Sequence, residues 1–194
     1  MGINDGSKVA AAKPKVGGGM YWAPLGTALP TDSSTALNVA FKCMGPISEE
    51  GVRPSRDTSI EKVKEWDGST LATLLSEESR AFEVTLYGVH DADVLKFLFD
   101  TANVVVTAAA GAVGTKLAVT DKGGKPEKGV LVLEMTHGGV KQRKIVPVAD
   151  PTITDEGAYV KGELRSYTVE VEALKDSAGA FSYEYTELDD APGV

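Results

Sequence analysis

The chain has 194 residues, a net charge of −8, 25% charged and 42% hydrophobic side chains, which is room and composition for one ordinary globular domain with a real core. An acidic balance of this size excludes a protein that grips nucleic acid by neutralising phosphates, while leaving open one past which DNA slides without sticking. No apolar run approaches the ~20 residues of a membrane helix, the N-terminus lacks the apolar core of a signal peptide, and Cys43 stands alone, a small packing residue in a reducing compartment.

Residues 1–20 are small, polar and Gly-rich, closing on Val16-Gly-Gly-Gly-Met20, and read as a flexible N-terminal arm. Tyr21-Trp22-Ala23-Pro24 is the first large apolar contact, Leu29 to Thr35 a polar loop, and the folded body is expected to begin near Ala36. Residues 21–190 read as a single domain and 191–194 as a tail.

Met44-Gly-Pro-Ile-Ser-Glu-Glu-Gly-Val52 follows. Gly45-Pro46 and Glu50-Gly51 read as chain reversals, since Pro presets a negative φ and Gly accepts a positive one. Ile60 to Trp66 is a polar strand with Ile60, Lys62, Lys64 and Trp66 on one face, better suited to water or a partner than to a core. Trp66-Asp67-Gly68 is a third turn. From Phe82 to Tyr87 the apolar Phe82, Val84 and Leu86 alternate with Glu83, Thr85 and Tyr87, the period of a strand with one buried face.

The one convincing helix runs from His90 to about Ala102, with Asp91 as N-cap and Asp93 in the first turn, at the positive end of the helix dipole. Val94, Leu95, Leu98, Phe99 and Ala102 form its apolar stripe; Phe97 falls off it, toward a loop or a neighbouring subunit. Strands are then expected over 104–108, 116–120, 130–136, 140–148, 161–174 and 181–187, with Asp176 to Gly179 turning the clearest hairpin. The fold class that results is mainly β: an antiparallel β-sandwich or partly rolled barrel with one flanking α-helix.

Candidate chemistry is thin. His90 and His137 stand in no ligand or triad spacing. Gly111-Ala-Val-Gly-Thr-Lys116 echoes a phosphate loop but lacks its Gly-Lys-Ser/Thr ending. His90-Asp-Ala-Asp93 and Glu187-Leu-Asp-Asp190 gather carboxylates without a calcium-loop pattern, and capping and a solvated tail account for them. No catalytic, cofactor or metal residue is assigned.

The order G-P-I-S-E-E-G-V, a polar strand ending in W-D-G, then F-x-V-T-L-Y-G and a short helix resembles the major tail tube protein of long-tailed, siphovirus-type bacteriophages over roughly residues 40 to 190. The resemblance implies a structural virion protein whose hexameric rings stack into the tail tube, the conduit for DNA ejection. It also implies assembly in the bacterial host cytoplasm, and tape measure, terminator and distal tail proteins as partners. DNA would cross the lumen without specific binding. On this picture Gly45, Pro46, Glu49, Glu50, Gly51, Arg53 and Arg56 form an assembly loop, and the long segments 45–57 and 104–116 reach neighbouring subunits or rings.

The terminal charges fit such stacking: residues 1–20 carry net +2 through Lys8, Lys13 and Lys15, against Asp189 and Asp190 at the other end, a contrast that favours head-to-tail inter-ring contacts if the arms leave on opposite faces. Two alternatives stay open. One is the tube or terminator protein of a contractile tail or injection machine. The other is a β-sandwich module binding a glycan or host surface, with Trp22, Trp66, Tyr87, Tyr159 and Tyr183 as candidate platform residues.

Overall fold

A computed structural model of the chain describes residues 11–15 and 19–189. Its elements are β1 (Lys13–Pro14), β2 (Met20–Pro24), β3 (Lys42–Cys43), β4 (Ile47–Lys64), β5 (Thr70–Leu86), α1 (Ala92–Phe99), β6 (Val104–Thr107), β7 (Lys116–Val119), β8 (Gly129–His137), β9 (Val140–Glu156), β10 (Tyr167–Leu174) and β11 (Tyr183–Glu187). Among the described residues strand makes up 53% and helix 6%, so the mainly β, antiparallel reading with one α-helix holds. β2, β3, β4, β5, β8, β9 and β10 follow one another in the order β3-β2-β8-β9-β10-β5-β4, with β1 on β8 and β11 on β9, while β6 and β7 make a separate ribbon.

The sheet curls around its main core. Trp22, Leu131, Leu133 and Val146 from one half meet Phe82, Val84, Leu86, Val169 and Val171 from the other, and Val94, Phe97 and Leu98 of α1 join them. The opposite face carries a smaller cluster, Ala23, Phe41, Val130, Val132 and Ile145, covered by Leu29, Leu37 and Ala40 of the segment between β2 and β3. The unbroken apolar run Val130 to Leu133 therefore feeds both clusters by alternation, as expected of a strand buried on two sides. Each of these large side chains contributes roughly 1.5–3 kcal/mol on burial.

Asp91 caps α1 by accepting the Asp93 N–H at 2.8 Å. The helix stops at Phe99, three residues short of the expected Ala102, because Asp100 turns out of it at φ 65°. The Asp100 carboxylate accepts the Glu127 N–H at 2.9 Å, which helps hold that left-handed residue. Phe97, expected off the buried stripe, is buried against Trp22 with ring centroids 4.7 Å apart. The helix is covered on more than one side, so a single stripe understates its buried face.

Four further expectations are corrected. The body does not begin near Ala36: Met20 and Ala23 are fully buried, and β2 lies between β3 and β8. Glu50-Gly51 is no reversal but a bulge inside β4, since Ile47 lies opposite Leu86 and Val52 opposite Val84, five residues spanning two. Segment 45–57 is accordingly mostly strand. The strand expected from Lys161 begins only at Tyr167.

Asp176 to Gly179 does turn, the Gly179 N–H donating to the Asp176 carbonyl at 3.0 Å, but β10 and β11 do not pair. Both lie along β9, Leu174 opposite Val148 and Tyr183 opposite Ile145, as one strand interrupted by the excursion 175–182. β10 sits between β9 and β5 only as far as Ala81 opposite Glu172. Beyond that level the sheet forks into a β8–β9–β11 prong and a β4–β5 prong.

Arg143 and Glu134 are the buried charged residues of the sheet. The Arg143 guanidinium donates to Glu134 Oε1 through Nε at 2.9 Å and to the carbonyls of Asp32 and Thr35 at 2.7 and 2.8 Å. Lys15 Nζ reaches Glu134 Oε2 at 2.8 Å. One ion pair thus ties the loop after β2 and the β1 segment to the sheet.

Within that loop the Thr35 hydroxyl and the N–H groups of Thr35 and Ser34 donate to Asp32 and hold its carboxyl down to about 2, from an ordinary 3.8. The folded value lies below the unfolded one, so the turn's contribution is present above about pH 4 and lost as pH falls through about 2. The Ser34 and Thr35 amide resonances are expected to titrate with that low midpoint in an NMR series. A midpoint near 4 would show that the turn does not hold the charge.

Candidate assembly surfaces

Every residue from Arg53 to Glu77 is exposed. This stretch is the outer part of the β4–β5 hairpin, closed by Trp66-Asp67-Gly68, where Gly68 takes φ 87° and its N–H donates to the Glu65 carbonyl at 3.0 Å. From Arg53 to Lys64 the ribbon projects roughly 35 Å, at ~3.3 Å per residue.

Directly opposed residues share a face. Ile60 and Leu75 lie on one face with Lys62 and Thr73; Glu61 and Leu74 lie on the other with Val63 and Ala72. Leu71 and Leu75 are 64% and 60% exposed, and Trp66 at the tip is wholly so. A two-stranded ribbon is marginal in water by itself, and apolar side chains on both of its faces mark a partner surface. The β6–β7 ribbon is a smaller case, with Val105, Val106, Val113 and Val119 exposed; Gly111 to Lys116 belongs to it, and a strand, not a helix, starts at Lys116.

Open strand edges add to this. β3 and β4 end the sheet path, β11 pairs only with β9, and β5 above Ala81 pairs only with β4 among the described residues. Such edges are covered or used, and a second copy of the same chain is one way to use them.

The residues expected to form an assembly loop sit at the hairpin's base. Gly45 takes φ 68° and Gly51 φ 70°. Pro46 accepts the Tyr87 N–H at 3.0 Å, Glu49 is exposed beside them, Glu50 pairs with Arg53 at 3.0 Å, and Arg56 lies directly opposite Arg80.

Of the terminal charges, Lys8 and Asp190 lie outside the described residues, as do 1–10, 16–18 and the tail from 190. Lys13 stands opposite Thr136, Lys15 is engaged by Glu134, and Asp189 lies against Gly139, where an added Cβ would come 2.2 Å from its carboxyl group. Lys13 and Asp189 therefore flank the same β8–β9 turn, not opposite ends of the subunit. By strand register, the β4–β5 tip points toward that end too.

The other candidate chemistry is not gathered. His90 precedes α1 and His137 ends β8, and among the described residues no group of three His, Cys, Asp or Glu side chains is placed to hold a metal. Trp22 is buried, Trp66 caps the hairpin, Tyr159 lies in the β9–β10 loop and Tyr183 donates to Asp176 at 2.6 Å, so these four occupy separate elements. Among the described residues no helix is long and apolar enough to cross a membrane. The buried Arg143–Glu134 pair escaped the sequence reading, since one Glu and one Arg inside apolar strands carry no spacing signal.

An antiparallel sheet with open edges and an exposed, two-faced hairpin defines a protein built for contact with other chains. The family model of the phage tail tube protein matches residues 1–192, and the chain belongs to that family, a structural component of the phage tail. A comparison with curated proteins finds no match.

Proposed function

We propose that six copies of this chain join edge to edge into a ring, and that rings stack into the tail tube of a long-tailed phage, the conduit through which DNA leaves for the host. The observation that carries this reading is the hairpin from Arg53 to Glu77, exposed throughout and apolar on both faces. Within a ring, strand edges are continued by the neighbour; between rings, the hairpin spans a gap that no compact body could bridge. The segment 45–56 at its base and the terminal charges, Lys8, Lys13, Lys15, Asp189 and Asp190, take part in contacts between copies. An acidic subunit suits a lumen that DNA must cross without being held. The tape measure, terminator and distal tail proteins are its partners, and assembly takes place in the host cytoplasm.

Negative-stain electron microscopy of the purified chain over a concentration series, with light scattering for mass, tests the proposal. Hollow tubes of uniform diameter and six-fold end views are expected. Rings that never stack point to a terminator, tubes that recruit a sheath to a contractile machine, and a monomer that stays single even with tail extract as nucleus overturns the reading.

A further inference from the structure

The crotch of the fork is basic, in a chain of net charge −8. Arg56, Arg80, Lys144 and Lys175 line a cleft between the hairpin base and the excursion 175–182, over the rings of Phe82 and Phe181. Lys175 and Arg80 lie 4.9 and 5.4 Å from the Phe181 centroid, and Lys144 lies 5.8 Å from that of Phe82. The nearby carboxylates answer only part of this charge: Glu78 pairs with Arg80 at 2.5 Å and Lys175 at 3.6 Å, and Glu184 with Lys144 at 3.3 Å.

Arg56 forms no ion pair among the described residues and stands directly across the ladder from Arg80. Like charges in that position repel, a cost that an arriving anion turns into a gain. The cleft thus asks for an acidic ligand with an apolar side chain to lay on the Phe181 ring.

The chain carries such a segment. Glu187-Leu188-Asp189-Asp190 sets an apolar residue among three carboxylates, and Leu188 is 60% exposed. Its own cleft is behind it: β11 leaves the fork at Tyr183, opposite Ile145, and runs to Glu187, opposite Lys141, away from Lys144. Copies placed side by side by rotation, however, present this segment at the same end of the sheet as the fork. We infer that the basic fork cleft receives the Glu187–Asp190 segment of a neighbouring copy, a lateral contact within the ring. This rests on the proposal that copies associate, and it names the surfaces by which they do.

A fluorescein-labelled peptide of residues 184–194 titrated into the full chain at low salt tests it by anisotropy. Binding is expected to weaken as salt rises, and to fall about tenfold with Arg56→Glu plus Arg80→Glu, on the scale of two lost ion pairs. A peptide carrying Asp189→Lys and Asp190→Lys should bind that doubly reversed protein better than it binds the wild type. Arg56→Ala, at an exposed position without an ion pair among the described residues, keeps the test open if the double variant misfolds; it too should weaken binding.

Peptide binding indifferent to Arg56, or Arg56-dependent binding of a short DNA duplex in place of the peptide, overturns the inference. Electron microscopy separates it from the tube proposal. Tubes formed as readily by the doubly reversed chain sink the cleft contact and leave the tube standing, whereas Arg56-dependent peptide binding by a chain that makes no tubes does the opposite.

Discussion

Replacing Leu71, Leu74 and Leu75 with serine is expected to leave the subunit folded and to abolish tube formation. All three side chains are exposed, so the stability of the single subunit should move by less than about 0.5 kcal/mol per substitution. In the proposed tube the same side chains would leave water, at roughly 1.5–3 kcal/mol each. Losing about 5 kcal/mol per subunit contact raises the concentration needed for assembly by about three to four powers of ten. Sedimentation or light scattering across a concentration series reads this directly, with far-UV circular dichroism as the check on folding. Leu74→Asp and Leu75→Asp, made separately, ask which face of the ribbon is buried, since Leu74 shares a face with Glu61 and Leu75 with Ile60. Tubes at the wild-type concentration from the triple variant would show that the hairpin is not the assembly arm.

The inner strands were legible because their burial is one-sided or two-sided in a regular way. Phe82, Val84 and Leu86 alternate with Glu83 and Thr85, and the core takes the first set. The outer half of β5, Thr70 to Ala81, escaped notice for the opposite reason: with water or a partner on both faces, nothing in the sequence alternates. An exposed ribbon of this kind is hidden from pattern reading until a backbone reveals it.

The length of β9 was hidden in a different way. The strand expected over 140–148 runs from Val140 to Glu156 and carries Pro147 and Pro151, a residue type that strands seldom hold. The structure accommodates both: Pro147 falls where the β8 register slips between Gly129 and Leu131, and Pro151 lies past Ala149, where pairing with β8 has ended. Because β9 is that long, it has room for β10 and β11 end to end. The turn at Asp176 to Gly179 was correctly read as a turn; what its flanking strands pair with depends on the length of a third strand, which no local signal states.

The buried pair beneath the loop after β2 carries the second large expectation. Arg143→Met removes a guanidinium that is 1% exposed and leaves Glu134, 3% exposed, with only Lys15 as its ion-pair partner among the described residues. Lys15 is half in solvent and screened, so it offsets little of the desolvation cost. The expected loss is about 3–5 kcal/mol, or a fall in melting temperature of roughly 10 °C for a chain of this size. Removing both charges, as Arg143→Met with Glu134→Leu, should return stability to near the wild type, because no uncompensated charge is then buried. The double variant still lacks the donors that hold the Asp32 and Thr35 carbonyls. Hydrogen exchange at the Ser34 and Thr35 amides should therefore stay fast in it while the melting temperature recovers. Thermal unfolding and exchange together separate the two roles of the arginine, charge partner inside the sheet and clamp on the loop that covers it; a single variant within about 1 kcal/mol of the wild type would contradict the first.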